Sequence, residues 1–152
     1  LPDGSVARRG RAKDTIVLSS GENIEPGPLE EALVASPLIE QVMLVGQDER
    51  QLGALVVPRV EAIGAWAAEK GLTLPDDLGG QHGDPALLKL LISECNALLR
   101  QRVGSRGDER LAGVALVDPF SIENGLLTQT LKQRRDRISQ RDAAAIAALY
   151  GR

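Results

Sequence analysis

Aromatic side chains are nearly missing from this sequence: Trp66, Phe120 and Tyr150 make up 2% of its 152 residues. Its interior must therefore be built from Leu, Val, Ile and Ala, the bulk of a 43% apolar fraction, with those three as the only large rings. A surface that stacks nucleic-acid bases needs aromatics beside its cations. Neither basic cluster, "ARRGRAK" or "KQRRDR", has one nearby, and the net charge is −3, so no nucleic-acid partner is expected. The one cysteine, Cys95, excludes an intramolecular disulfide framework and suits a reducing cytoplasm. The one histidine, His82, stands in a glycine-rich stretch with no second ligand nearby, and no metal site is expected. No apolar run approaches the roughly 18 residues that span a bilayer, and no charged-then-apolar leader opens the chain. A Walker-type phosphate loop, paired carboxylates in an apolar setting and a Ser/His or Cys/His constellation are all missing too. A complete enzyme is therefore not expected from these residues.

The length does suffice for one domain with a modest core. The opening "LPDGSVARRG" has turn and linker chemistry, and it reads as the tail of an earlier segment of a larger protein. "DTIVLSSGENIEP" outlines a β-hairpin, with Gly21 free to take positive φ at the turn. Pro26 and Pro28 suit the first turn of a helix, which carries Leu29, Leu33 and Val34 on one face and stops before Pro37. "IEQVMLVG" and "LGALVVP", joined by the short polar "QDER", read as neighbouring antiparallel strands. "RVEAIGAWAAEKG" is helical to Gly71, and residues 72–84 are a loop or insertion. The longest helix opens at Asp84-Pro85 and runs to about Val103, with Leu87, Leu91, Cys95, Leu98 and Leu99 as its buried stripe. Cys95 is thus a small core residue. "LAGVALVDPF" is a further strand ending at Pro119. A final helix spans about Lys132 to Tyr150, with Ile138, Ala145, Ile146 and Leu149 on its inner face. The class is α+β: a small mixed sheet with flanking helices plus an N-terminal β-hairpin.

Periodicity alone leaves Lys132 open between a solvated lysine at a helix start and a reactive cation. Three stretches in order narrow the choice. "GRAKDTIVLSSGENIEPGPLEEAL", "IEQVMLVGQDERQLGALVVP" and "FSIENGLLTQTLKQRR" resemble the C-terminal domain of the acyl-adenylate-forming enzymes, and long-chain fatty acyl-CoA synthetases in particular. The resemblance runs from about Gly10 to Tyr150 and is weakest over 72–84. "RAKDTIVLSSGENIEP" is also similar to cyanobacterial and plastid-type synthetases, some of which charge acyl carrier protein instead of coenzyme A.

The resemblance implies a small mobile domain that supplies half of an active site. Residues 1–9 would be a linker from an N-terminal adenylation domain, and 10–152 the C-terminal domain. Such enzymes join a fatty acid to ATP as an acyl-adenylate, and a thiol then displaces AMP. ATP and Mg2+ would be cofactors, the Mg2+ ligands lying outside this chain, with coenzyme A or acyl carrier protein as acceptor. Lys132 matches the adenylation lysine, and Gly125, Thr128 and Thr130 belong to the loop over the active site. Arg11 matches a nucleotide-contacting arginine, with packing or pairing to Asp14 as the plainer alternative. Lys13 falls at the hinge, or is a surface charge. Ser20, Gly21, Glu22 and Asn23 match the segment lining the pantetheine tunnel. Gln129 departs from the pattern, since many relatives have proline there. Arg8, Arg9 and Arg11 form a basic patch suited to a carrier protein or to the phosphates of coenzyme A. The setting implied is cytoplasmic, with peripheral membrane contact open to the full-length enzyme. A non-catalytic stand-alone module is the alternative from another class.

Overall fold

The computed structural model describes residues 15–71, 85–102 and 109–151. The linker, Arg11, Lys13, the 72–84 loop and His82 lie outside the described residues. Two short strands, β1 (Ile16–Val17) and β2 (Asn23–Ile24), pair antiparallel as the expected hairpin. Helix α1 (Pro26–Val34) follows, with proline in its first turn where no amide donor is required. The main sheet has the order β3-β4-β5, from β3 (Ile39–Val45), β4 (Leu52–Pro58) and β5 (Leu111–Leu116). Between β4 and β5 come α2 (Val60–Glu69) and α3 (Pro85–Arg100), and the chain closes with α4 (Arg135–Arg141) and α5 (Ala143–Leu149).

β3 and β4 pair antiparallel as their short link requires, whereas β5 lies parallel to β4. A parallel neighbour needs a crossover longer than a turn, and α2 and α3 provide it. Side chains alternate between the two faces, and each face has its own core. Val42, Leu44, Ala54, Val56, Val114 and Leu116 point to one cluster, shared with Leu29, Leu33, Ile63, Leu87, Leu91, Cys95 and the hairpin's Ile16, Leu18 and Ile24. Met43, Val45, Leu55, Val57 and Ala115 point to the other, with Phe120, Leu126, Ile138 and Ala145. Helices therefore cover both faces, and the strands read as nearly continuous apolar runs for that reason.

Four boundary or packing expectations change. The C-terminal helix begins at Arg135, not Lys132, and is broken at Asp142, which leaves helical torsions at φ −103° and ψ 26°. β5 ends at Leu116, before Pro119. Val34 is 41% exposed, on the outer side of α1, while Pro26, Leu29, Glu30 and Leu33 are buried. Leu98 is half-buried, and the polar Asn96 takes a buried place on α3 instead. Its amide donates to the Leu111 carbonyl at 3.0 Å and accepts from the Leu111 N–H at 2.7 Å, closing the start of β5. Trp66 packs half-buried against the first core, Phe120 is buried in the second, and Tyr150 borders it. Among the described residues no helix is long and apolar enough to cross a membrane.

Candidate functional site

Two tight turns project from this frame, and their backbones are built alike. In the hairpin, the Leu18 N–H donates to the Glu22 carbonyl at 2.9 Å, and the Gly21 N–H donates to the Leu18 carbonyl at 2.8 Å. Near the C-terminus, the Thr128 N–H donates to the Lys132 carbonyl at 2.8 Å, and the Leu131 N–H donates to the Thr128 carbonyl at 2.8 Å. Each is a three-residue hairpin loop whose last residue adopts positive φ, +93° for Gly21 and +65° for Leu131. Glycine accepts that conformation freely, and leucine does not.

Ser20, Gly21, Glu22 and Asn23 are all exposed, while Ile16, Leu18 and Ile24 anchor the hairpin from beneath. The turn is docked on the β3–β4 connection. The Ser19 N–H reaches the Glu49 carbonyl at 2.8 Å, the Asp48 N–H reaches Val17 at 2.9 Å, and the Val17 N–H reaches Gln47 Oε1 at 3.1 Å. A Cβ on Gly21 would meet nothing within 4 Å, so what this chain itself demands of Gly21 is its φ.

Lys132 stands at the end of the second turn, exposed, outside any helix or strand just before α4. Its N–H donates to the Thr128 hydroxyl at 3.0 Å, and that hydroxyl lies 3.1 Å from the hydroxyl of Thr130. Both threonines thus brace the loop that presents the lysine. Gly125, at φ +80°, closes the preceding turn, whose base is held by Asn124: its Oδ1 accepts from Ser121 and Leu126, and its Nδ2 donates to Pro119. The ammonium of Lys132 has no hydrogen bond or ion pair among the described residues. It lines an open cleft of about 720 Å³ with Glu30, Glu31, Val34, Glu40 and Leu131. The hairpin turn does not line that cleft, so the two turns are separate features.

The residues that fix the lysine loop were not legible as site residues. Gln133 Nε2 donates to the Val42 carbonyl at 2.7 Å, on the outer edge of β3. Arg135 forms a two-pronged pair with Glu30, at 2.8 and 2.7 Å, and Glu30 also accepts the Leu44 N–H at 2.8 Å. Glu30 is buried, and three charge-assisted bonds offset its desolvation. Gln41 holds the entry to the loop by two bonds to the Phe120 backbone, both 2.9 Å. Apart from Glu30–Leu44, these pairs are 79 to 105 residues apart in sequence, and no local pattern announces them. Among the described residues no group of three His, Cys, Asp or Glu could hold a metal ion. Burial, reinforced by Glu94, pushes the Cys95 thiol up to about 12, which keeps it protonated and without nucleophilic character.

Comparison with known proteins agrees with this architecture. Residues 13–72 match the AMP-binding enzyme C-terminal domain family. A chloroplastic long-chain-fatty-acid–[acyl-carrier-protein] ligase of Arabidopsis thaliana is 37% identical over 97% of this chain, which covers 18% of that protein. A long-chain-fatty-acid–CoA ligase of Mycobacterium tuberculosis is 33% identical over 99% of this chain, covering 25% of that protein. The chain thus spans no more than a quarter of the length of these relatives. Among solved structures, the adenylation domain of a carboxylic acid reductase from Segniliparus rugosus, in complex with AMP and a co-purified carboxylic acid, superposes with a TM-score of 0.72. It is 30% identical over 92% of this chain and 20% of that one. In sequence, residues 13–72 are thus similar to the AMP-binding enzyme C-terminal domain family, and the fold that presents the two turns is similar to that of a solved adenylation domain.

Proposed function

We propose that this chain is the C-terminal domain of a long-chain fatty acid:CoA ligase, which activates a fatty acid with ATP to acyl-AMP and then forms the CoA thioester. The observation that carries the reading is Lys132: an exposed ammonium without a partner among the described residues, on a hydrogen-bonded turn at the mouth of a cleft. A cation so held is suited to two anions at once, the attacking carboxylate and the α-phosphate of ATP. Touching both reduces their repulsion and orients the attack. In this reading the partner is an N-terminal adenylation domain, reached through residues 1–9, which would hold Mg2+ and the acyl pocket. Arg11 contacts the nucleotide, and Lys13 is the hinge, where an unbranched exposed side chain tolerates a change of φ and ψ. The turn Ser20–Asn23 lines the pantetheine path after rotation. Thr128 and Thr130 brace the lysine turn, and Gly125 lets the loop close over the nucleotide. The 152 residues alone are expected to be inactive, and the complete enzyme to work in the cytoplasm.

The test uses the complete ligase. Lys132→Ala should cut adenylate formation by about two to three decades and leave thioester formation from supplied acyl-adenylate nearly unchanged. Equal losses in both half-reactions would refute the role of Lys132. A second reading, with acyl carrier protein as acceptor, is supported by the name of the Arabidopsis relative. Turnover with free coenzyme A against turnover with holo-carrier decides between the two acceptors.

A further inference from the structure

The two turns differ in one respect that bears on how the lysine turn is used. Both place their last loop residue at positive φ, and the hairpin fills that place with Gly21. The lysine turn fills it with Leu131, which is strained there and also 66% exposed. Leucine at this position disfavours the isolated domain twice over, in backbone conformation and in apolar surface left in water. Among the described residues neither cost is offset. The other large exposed apolar residue of the same cleft, Val34, also faces out, on the outer side of α1. The hydrogen bonds from Thr128 to Lys132 and from Leu131 to Thr128 fix the turn, so the leucyl side chain is held out beside the ammonium.

We infer that Leu131 is an apolar docking contact, which packs onto an apolar surface of the adenylation domain of the same enzyme when Lys132 enters the nucleotide site. The inference rests on the ligase reading above. The occupant follows from the layout of the chain. The matched relatives have at least three quarters of their length outside the region that this chain covers, and Leu131 is the immediate neighbour of the one residue that must reach into that remainder. A contact formed only when the lysine docks stabilises that state and leaves the other alone.

The experiment follows activity and stability together in the complete ligase. Asparagine tolerates positive φ and glycine prefers it, and both remove the apolar side chain. Leu131→Asn and Leu131→Gly should lower ATP–pyrophosphate exchange about tenfold, the loss of one modest contact. Thioester formation from supplied acyl-adenylate should stay within about twofold, well under that tenfold effect. Leu131→Asn should melt at or above the parent temperature, because the strain is relieved. Leu131→Met, apolar and flexible, should recover most of the exchange rate. A purely structural leucine predicts the reverse pattern, a lower melting temperature with both half-reactions falling together. A normal exchange rate in Leu131→Asn, beside a Lys132→Ala enzyme that has lost it, overturns the docking contact alone. A parent enzyme without exchange activity overturns the ligase reading and this inference with it.

Discussion

Gln129 shows how much of the lysine turn is set by backbone geometry. It is the second residue of the tight turn Thr128–Leu131, and its N–H donates to no group among the described residues. Proline is favoured at that place, since its ring presets φ and no amide bond is lost. Proline and the glutamine here are thus both compatible with this turn. Gln129→Pro should stabilise the domain by about 0.4–1 kcal/mol, through a less flexible unfolded chain. The midpoint of urea unfolding checks this. A lower midpoint would mean that residue 129 does not hold φ near the proline value. The role proposed for Lys132 was beyond charge patterning, since a lysine ahead of a basic helix is commonplace. The resemblance of the flanking residues raised it, and the structure adds the turn, the exposure and an ammonium unengaged among the described residues.

Among the elements, the last helix is seated by two glycines that sequence patterning passes over. Gly53 of β4 and Gly113 of β5 are direct partners across the parallel pair, and both back onto Leu149 of α5. The three atoms nearest to a Cβ on Gly53 would all belong to the Leu149 side chain. A Cβ on Gly113 would lie 2.9 Å from Leu149 Cδ2 and also 3.1 Å from its carbonyl oxygen. Either alanine should cost about 1–3 kcal/mol by overpacking. Adding Leu149→Ala should recover much of the loss at Gly53 and less at Gly113, where the backbone remains in the way. A double-mutant cycle in chemical denaturation measures the difference. Equal recovery at both sites would show that α5 shifts freely on the sheet. Short-range signals made the hairpin, α1 and the β3–β4 pair legible: Gly21 at a turn, Pro26 at a helix start, a short polar link between apolar runs. The parallel placement of β5, the break at Asp142 and the Glu30–Arg135 pair depend on tertiary partners far along the chain, and local pattern does not contain them.

At the scale of the whole molecule, two neutral acids tie each core to the pH. Cys95 lies in the first, its thiol pushed up from 9.0 to about 12 by burial and, secondarily, by Glu94. Tyr150 borders the second, its hydroxyl donating to the Gln51 carbonyl at 2.8 Å and pushed up from 10.0 to about 12 by burial. In both cases folding favours the protonated form. Their contribution is therefore fully present below the unfolded value and is lost as pH rises through the folded one. Between pH 9 and 12 the unfolded chain sheds the thiol proton that the folded chain retains, and from pH 10 the same holds for the phenol. Stability should decline across this window. Urea unfolding from pH 8 to 12 tests it, with each variant set against the parent so that shared titrations cancel. Cys95→Ala should flatten the decline from pH 9 upward and Tyr150→Phe only from pH 10, whatever their offsets at neutral pH. A parent and a Cys95→Ala variant with parallel profiles would show that the thiol is reached by solvent, and that the first core opens beside α3 before the domain unfolds.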